Sequence, residues 1–340
     1  MAHRYNSYAD SLIKKYGHKV FRVGIDAGFS CPNRCKSPTG QGCTYCDSLG
    51  AKAAYLRTRE SGYTHQSGFE RNIDSMAQSE GLGENYVFVI DKEDIERQVK
   101  RGIEFVQRRY KVEHFSAYLQ SFSNTFAPVE KLKELYDYVL SLYAWDEFII
   151  STRPDCLDAK KLDLIEGYKE GREVCVELGL QSGDDNILQA MRRGHDVGCF
   201  VRAAKAVKAR GISLCVHVLV GYPGEGKEQM DKTIAVLGDV HPDAVKIHNL
   251  NVVAGTALFE DFLGGEVIAP SMPRYIERVI YVLRRIPSDI VVERLLCETP
   301  SHRLASPRLF ADKNQFLATL DTRMDELDVR QGDLVATCGF

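Results

Sequence analysis

Val20-Phe21-Arg22-Val23-Gly24-Ile25 leads within six residues into Cys31-Pro32-Asn33-Arg34-Cys35-Lys36-Ser37-Pro38-Thr39-Gly40-Gln41-Gly42-Cys43-Thr44-Tyr45-Cys46, and this stretch decides how the rest is read. Its first six residues alternate apolar with polar or small, the period of a β-strand. The cysteine loop therefore sits at the C-terminal end of the first strand. A Cys-x2-Cys pair places two thiolates on one tight turn, and a further cysteine a loop away can close on the same centre. Thiolate softness selects zinc or an iron–sulfur cluster. Four cysteines on one zinc make a closed structural knuckle, and Cys31-x3-Cys35 with Cys43-x2-Cys46 is a workable zinc pattern. Three cysteines on a four-iron cluster instead leave one iron open to an outside ligand. Spacing alone leaves both readings standing.

A disulfide framework would spread its cysteines along the chain, whereas four of the ten here fall between positions 31 and 46. Such clustering reads as metal binding in a reducing compartment. With 44% hydrophobic and 27% charged residues, the 340-residue chain can bury a large core, which excludes disorder as its main state. The formal charge of −3 gives no broad basic field of the kind that announces a nucleic-acid binder. Residues 1–24 carry five Lys/Arg against one Asp, a local patch that can meet phosphate or simply face water. The start has no apolar h-region, and no run approaches ~18 apolar residues, so neither a signal peptide nor a membrane span is expected. The expected location is the cytoplasm.

Outward from the loop, residues 47–84 are polar and aperiodic and read as an insertion or lid, with Tyr55, Arg57, Arg59 and Tyr63 in it. Helical and extended segments then alternate. Ile95, Val99, Ile103 and Val106 mark a helical face, His114–Leu119 is extended, and Pro128 opens a helix with Leu132, Leu135, Val139 and Leu140 on its core side. Extended segments follow at Glu147–Ser151, Glu173–Leu180, Ile212–Val220, Ala244–Leu250 and Ile290–Leu295. Helices are predicted between them at 159–168, 184–191, 199–209, 228–237 and 274–285, with Gly211 as a stop. About six strand–helix units imply a parallel sheet, open and doubly wound or curved as a barrel. No Gly-x-Gly-x-x-Gly follows the first strand, which disfavours dinucleotide binding. Polar candidates recur just after several strands, as at the C-terminal face of a barrel. The expected fold is α/β, a partial (β/α)6 TIM-type barrel over 20–290. An N-terminal extension, 1–19, precedes it, and a C-terminal extension, 291–340, packs on it through a helix near Lys313–Leu327.

The strings Arg4-Tyr5-Asn6, Ile25 to Arg34, Asn124-Thr125-Phe126-Ala127-Pro128, Thr152 to Leu157, Glu177 to Ser182, Arg193-Gly194-His195-Asp196, His217 to Glu225 and Lys246-Ile247-His248-Asn249-Leu250 stand in one consistent order. Together with the cysteine loop and Tyr45 before its last cysteine, they resemble the radical S-adenosylmethionine (SAM) superfamily. The likeness is to its stand-alone Elp3-like subgroup, typified by YhcC and YtqA. The resemblance implies a [4Fe-4S] cluster on Cys31, Cys43 and Cys46, a Cys-x11-Cys-x2-Cys set. An aspartate is usual where Cys35 stands, which makes Cys35 an extra residue or an alternative ligand. The commoner superfamily spacing, Cys-x3-Cys-x2-Cys, is absent, and so is the acetyltransferase domain of Elp3 proteins.

By the same resemblance the open iron binds SAM, and an electron from a donor such as flavodoxin or ferredoxin cleaves it to methionine and a 5′-deoxyadenosyl radical that takes a substrate hydrogen. Gln181 is then expected near the SAM ribose or carboxylate, with Arg193 donating to the carboxylate. Glu177, two alternations earlier, faces the same way or is a barrel-interior carboxylate paired with a lysine or arginine. Gly221-Tyr222-Pro223-Gly224 lets backbone approach the adenine, or is a plain turn. Gln120, Ser121 and Asn124 stand where many members carry a Gly-Gly-Glu string, and Ser151 stands where Elp3 proteins carry a glutamate. His217 and His248 are the catalytic candidates, with His195 also able to face the chamber, and each can equally be structural. Cys156, Cys175, Cys199 and Cys215 read as buried packing residues. The resemblance implies a tRNA substrate, at the wobble uridine. The alternatives are a small-molecule or protein substrate, or a zinc-knuckle binding protein without catalysis.

Overall fold

The computed structural model describes residues 3–35, 42–47, 88–308 and 312–335. The expected insertion at 47–84 lies outside them apart from Asp47, as do the Cys35 side chain and Cys338. In chain order the elements are α1 (Tyr8–Tyr16), β1 (Phe21–Ile25), α2 (Pro32–Cys35), α3 (Lys92–Tyr110), β2 (Phe115–Leu119), α4 (Val129–Ser141), β3 (Glu147–Thr152), α5 (Ala159–Glu166), β4 (Glu173–Gln181), α6 (Asp185–Ala190), α7 (Val197–Ala209), β5 (Ser213–Val220), α8 (Lys227–Val240), β6 (Ala244–Asn249), β7 (Val252–Val253), α9 (Ala257–Leu263), α10 (Met272–Leu283), β8 (Val291–Arg294), β9 (Leu304–Ser306) and α11 (Lys313–Glu326). Aspartate side chains at 91, 158, 184, 196 and 312 accept free N–H groups at the starts of α3, α5, α6, α7 and α11, which fixes where those helices begin. Pro128 is the residue before α4 rather than inside its first turn, because its extended ψ of 147° keeps it out of the helix. The helix expected at 159–168 ends at Glu166 and tightens into a 3-10 turn at Gly167–Lys169.

Seven parallel strands form one sheet in the order β1-β2-β3-β4-β5-β6-β8. A doubly wound sheet needs a switch point at which the strand order reverses. None occurs here, so the sheet curls into a partial barrel with its helices outside. The last strand, β8, falls within the segment set apart in the sequence as an extension. β1 and β8 leave a seam, which Arg22 crosses to reach Glu293 at 2.7 Å. Residues ahead of α1 cover the β8 edge, where Val292 donates its N–H to the Asn6 carbonyl at 2.7 Å.

Alternation along the strands sorts two environments. Val23, Ile25, Phe115, Ala117, Leu119, Phe148, Ile150, Val176, Leu178, Leu214, Val216, Val245 and Ile247 point outward into one core with the helices. The opposite face carries Arg22, Tyr118, Glu147, Cys175, Glu177, His217, Lys246 and Glu293 into the lumen, where barrels usually stack branched aliphatics. Cys156 and Cys215 are buried as expected, whereas Cys175 and Cys199 are half-buried. Cys175 shares the lumen with charged groups, and Cys199 sits in the exposed first turn of α7. Among the described residues no helix is long and apolar enough to cross a membrane.

Candidate active site

The loop after β1 is clamped from several sides. Thr44 donates its N–H to the Met191 carbonyl at 2.9 Å, accepts the Leu258 N–H at 2.8 Å, and shares a hydrogen bond of 2.8 Å with the Tyr222 hydroxyl. Arg34 turns back from α2 to donate to the Cys46 and Asp47 carbonyls at 3.0 and 2.9 Å, and its Nη2 lies 3.2 Å from the Cys46 sulfur. Asn33 Nδ2 and Arg193 Nη1 approach the Cys43 sulfur at 3.4 and 3.6 Å. Burial raises the Cys43 thiol, but the nearby Arg193 and Arg153 guanidiniums and these two hydrogen bonds outweigh it and lower its pKa. Burial dominates at Cys46 and pushes it up.

Cys31, Cys43 and Cys46 all stand in this loop, Cys43 buried and the other two half-buried. Among the described residues they do not form a set with all three sulfurs within 4.8 Å of one another. One tetrahedral zinc, with Zn–S of about 2.3 Å, would hold them ~3.8 Å apart. Three soft donors in a loop more open than that, ringed by guanidinium and amide donors, suit a larger anionic iron–sulfur centre.

Next to the loop, β4 ends in a register shift between Gly179 and Gln181, with Gln181 at φ 71°. A Cβ on Gly179 would lie 2.5 Å from Arg193 Nη2 and 2.6 Å from Gln181 Nε2, so the absent side chain leaves room for both groups at this strand end. Arg193 Nη2 donates to the Gly179 carbonyl at 3.0 Å. Asp155, folded back by the turn Pro154–Cys156, accepts two bonds of 2.8 Å from Arg153. Arg193 Nε and Arg153 Nη1 are buried without a partner in the protein. Buried donors of this kind call for an acceptor, and a carboxylate matches their fork. His195 lies beside these two arginines; burial and their charge drive its pKa down to about 3.

A cavity of about 520 Å³ opens at the C-terminal ends of the strands, with Tyr45, Cys46, Gln120, Gln181 and His248 on its wall. His248 Nε2 is buried there without a partner, and its ring lies 5.2 Å from that of His217. The other expected contacts take different places. Glu177 is fully buried, receiving Arg22 at 3.1 Å, Tyr118 at 2.7 Å, His217 at 2.8 Å and the Lys246 ammonium. It is the lumen carboxylate of the second sequence reading and has no lone pair left for a cofactor. Burial raises its pKa, but Lys246, Arg22 and the His217 bond outweigh that and hold it well below the usual carboxylate range. Ionised Glu177 can only accept, which places the His217 proton on Nε2.

Asn124 Nδ2 donates to the Leu119 and Ser151 carbonyls at 3.1 and 2.8 Å, tying the ends of β2 and β3 instead of facing the cavity. The Tyr222 hydroxyl is taken by Thr44 and the Ala190 carbonyl, and Pro223 is half-buried outside the cavity wall. Gly221, at φ 103°, is packed against Pro270, whose Cγ lies 2.5 Å from where a Cβ would stand. Gly221→Ala should therefore lower stability by about 2–3 kcal/mol in urea unfolding of the apoprotein. A change under about 0.5 kcal/mol would show that this backbone is not constrained.

The sequence reading missed Thr44, Arg34, Arg153 and Lys246. Arg34, Arg153 and Lys246 stand in the strings quoted above, but nothing in those strings marked their roles.

A parallel partial barrel with a cysteine-rich loop at the top of its first strand defines a class, and comparison with known families agrees. The Radical SAM superfamily matches residues 30–237 and the Radical_SAM C-terminal domain matches 242–326, so the chain belongs to the radical SAM superfamily. YtqA of Bacillus subtilis (strain 168), described as uncharacterized, is 29% identical over 330 residues, covering 97% of this chain and 92% of YtqA. A tRNA uridine(34) acetyltransferase of Methanocaldococcus infernus is 32% identical over 155 residues, 45% of this chain and 28% of that protein. Among solved structures, Methanocaldococcus infernus Elp3 lacking residues 1–46 superposes with a TM-score of 0.60 at 22% identity, covering 69% of this chain and 60% of that one, and so shares the fold. The expected radical SAM character and likeness to YtqA are thus present, on a fold shared with Elp3. The cofactors are a [4Fe-4S] cluster and SAM, and the chain is an enzyme of this superfamily.

Proposed function

We propose that the enzyme directs its radical chemistry at a nucleoside of transfer RNA, the wobble uridine, with the cluster on Cys31, Cys43 and Cys46. When bound, the cluster and SAM supply a 5′-deoxyadenosyl radical that abstracts a substrate hydrogen. The observation that carries the reading is the cavity shared by Cys46, Gln181 and His248, which puts the cysteine loop and a polar substrate wall in one chamber. The partial likeness to a tRNA uridine(34) acetyltransferase supports the substrate class. Arg193 and Arg153 are the groups for the SAM carboxylate, Gln181 for its ribose, and Gln120 and Tyr45 line its approach. His248, uncharged because burial and neighbouring charges push its pKa well down, offers Nε2 to the substrate. Flavodoxin or ferredoxin is the matching class of electron donor.

The net charge of −3, which gives no broad basic field for RNA, supports a second reading, a small-molecule or protein substrate. The test is anaerobic cluster reconstitution, reduction with SAM, and mass spectrometry of 5′-deoxyadenosine. Deuterated tRNA from cells lacking the protein should transfer deuterium into that product. Transfer from the small-molecule fraction of the same cells, with none from tRNA, would replace the first reading with the second.

A further inference from the structure

Two strands break register where they reach the cavity. In β4 the ladder passes from Gly179 opposite His217 to Gln181 opposite Val218, and between β6 and β8 it passes from Val245 opposite Val292 to Lys246 opposite Arg294. Each shift inserts one extra residue, Leu180 or Glu293, and a bulge of this kind re-aims the side chains around it. Val292 packs outward into the core and Glu293 points into the lumen toward Arg22. Strict alternation would then send Arg294 out beneath the helices. The bulge turns it inward instead, onto the cavity wall with His248, Asn249, Cys297 and Lys313.

Arg294 is half-buried there, and among the described residues it makes no hydrogen bond or ion pair. The other charged groups around the cavity are accounted for. Arg22 is held by Glu177 and Glu293, Asp47 pairs with Arg303 at 2.7 Å, and Glu298 is exposed at the rim. The wall beside Arg294 is tied together: the Asn249 side-chain Oδ1 accepts the Cys297 N–H at 2.8 Å, and Asn251 Nδ2 donates to the Cys297 carbonyl and the Thr299 hydroxyl at 2.8 and 3.0 Å. The SAM carboxylate has its own candidates in Arg193 and Arg153, beside the cysteine loop. A guanidinium fork on a fixed wall, partly out of water and with no ion-pair partner among the described residues, matches an oxyanion from outside the protein.

We propose that Arg294, with Lys313 also lining the cavity, binds an oxyanion of the substrate, either phosphate or carboxylate. This rests on the cavity being the substrate chamber and names the chemical class that it takes. Two probes separate the sources of that chemistry: uridine 5′-monophosphate, with uridine as its uncharged control, and citrate. Binding is measured by anaerobic calorimetry on the reconstituted, SAM-loaded enzyme.

One charged probe should bind the wild type at least about tenfold more tightly than uridine, and Arg294→Gln should remove that advantage. Arg294→Lys should restore part of it, because it returns the charge without the fork. Preference for the monophosphate assigns phosphate, and preference for citrate assigns carboxylate. Equal binding of every probe to wild type and Arg294→Gln overturns the proposal. So does a comparable loss of SAM affinity in Arg294→Gln, which would give Arg294 to the cofactor. Arg294-dependent anion binding without any deuterium transfer from tRNA would leave this site standing and remove only the tRNA reading.

Discussion

Cys43→Ala should yield a protein that folds with unchanged far-UV circular dichroism, takes up almost no iron on anaerobic reconstitution, and produces no 5′-deoxyadenosine. Removing groups that merely orient metal ligands costs about 10–100-fold, so removing a ligand should cost more than about 100-fold in SAM cleavage. The Cys43 thiol has its pKa lowered, with Arg193, Arg153 and Asn33 favouring the thiolate that a cluster requires. The loop lies outside the strands and is fastened by Thr44, so the barrel does not need the thiol to fold. Cys35→Ala is the matched control and should retain iron and activity. A brown, active Cys43→Ala protein together with a colourless Cys35→Ala protein would reassign the ligand set.

Glu177→Ala should lower stability strongly, by about 3 kcal/mol, because it leaves buried Lys246 and Arg22 with Glu293 alone, 3.5 Å from Lys246 and 2.7 Å from Arg22. Lys246 is held at about 12: burial and Arg22 push it down, but Glu177, Tyr118 and Glu293 outweigh them. Removing Glu177 takes away the first of those supports. Glu177→Ala combined with Lys246→Met should recover a good part of the loss, since the pair couples through direct contact. The pH dependence follows from the depressed carboxyl. Glu177 contributes its full stability above the unfolded carboxyl value of about 4.3 and loses it as pH falls toward the lower folded pKa. Urea midpoints measured from pH 7 down to 3 should therefore fall less steeply for Glu177→Ala than for the wild type. A single substitution costing under about 1 kcal/mol would mean that the lumen admits water freely.

These two sites differ in how far they could be read from sequence. The cysteine loop is local, so spacing and the preceding strand placed it before any coordinate was known. The strand–helix alternation was legible for the same reason, since each unit reports its own period. The lumen network is not local. Arg22, Glu177, Lys246 and Glu293 come from four strands, and only sheet order shows that they meet. The packing of Gly221 against Pro270 was equally illegible, because the two lie on different segments. Arg294 was hidden more deeply, because a bulge reverses the phase on which strand reading depends.

The seam between β1 and β8 also dictates an order of events during synthesis. The cysteine loop is made soon after Arg22, whereas Glu293, which meets Arg22 across the seam, follows about 270 residues after it. α11 follows later still, and its Asp325 pairs with Arg4 at the other terminus. Contacts of such long sequence separation form late in folding. Throughout elongation the thiols are therefore present on an unsealed barrel. The nascent chain passes through a long interval in which metal could reach the loop before the barrel is closed, and the N-terminal residues act as the fastener that ends it.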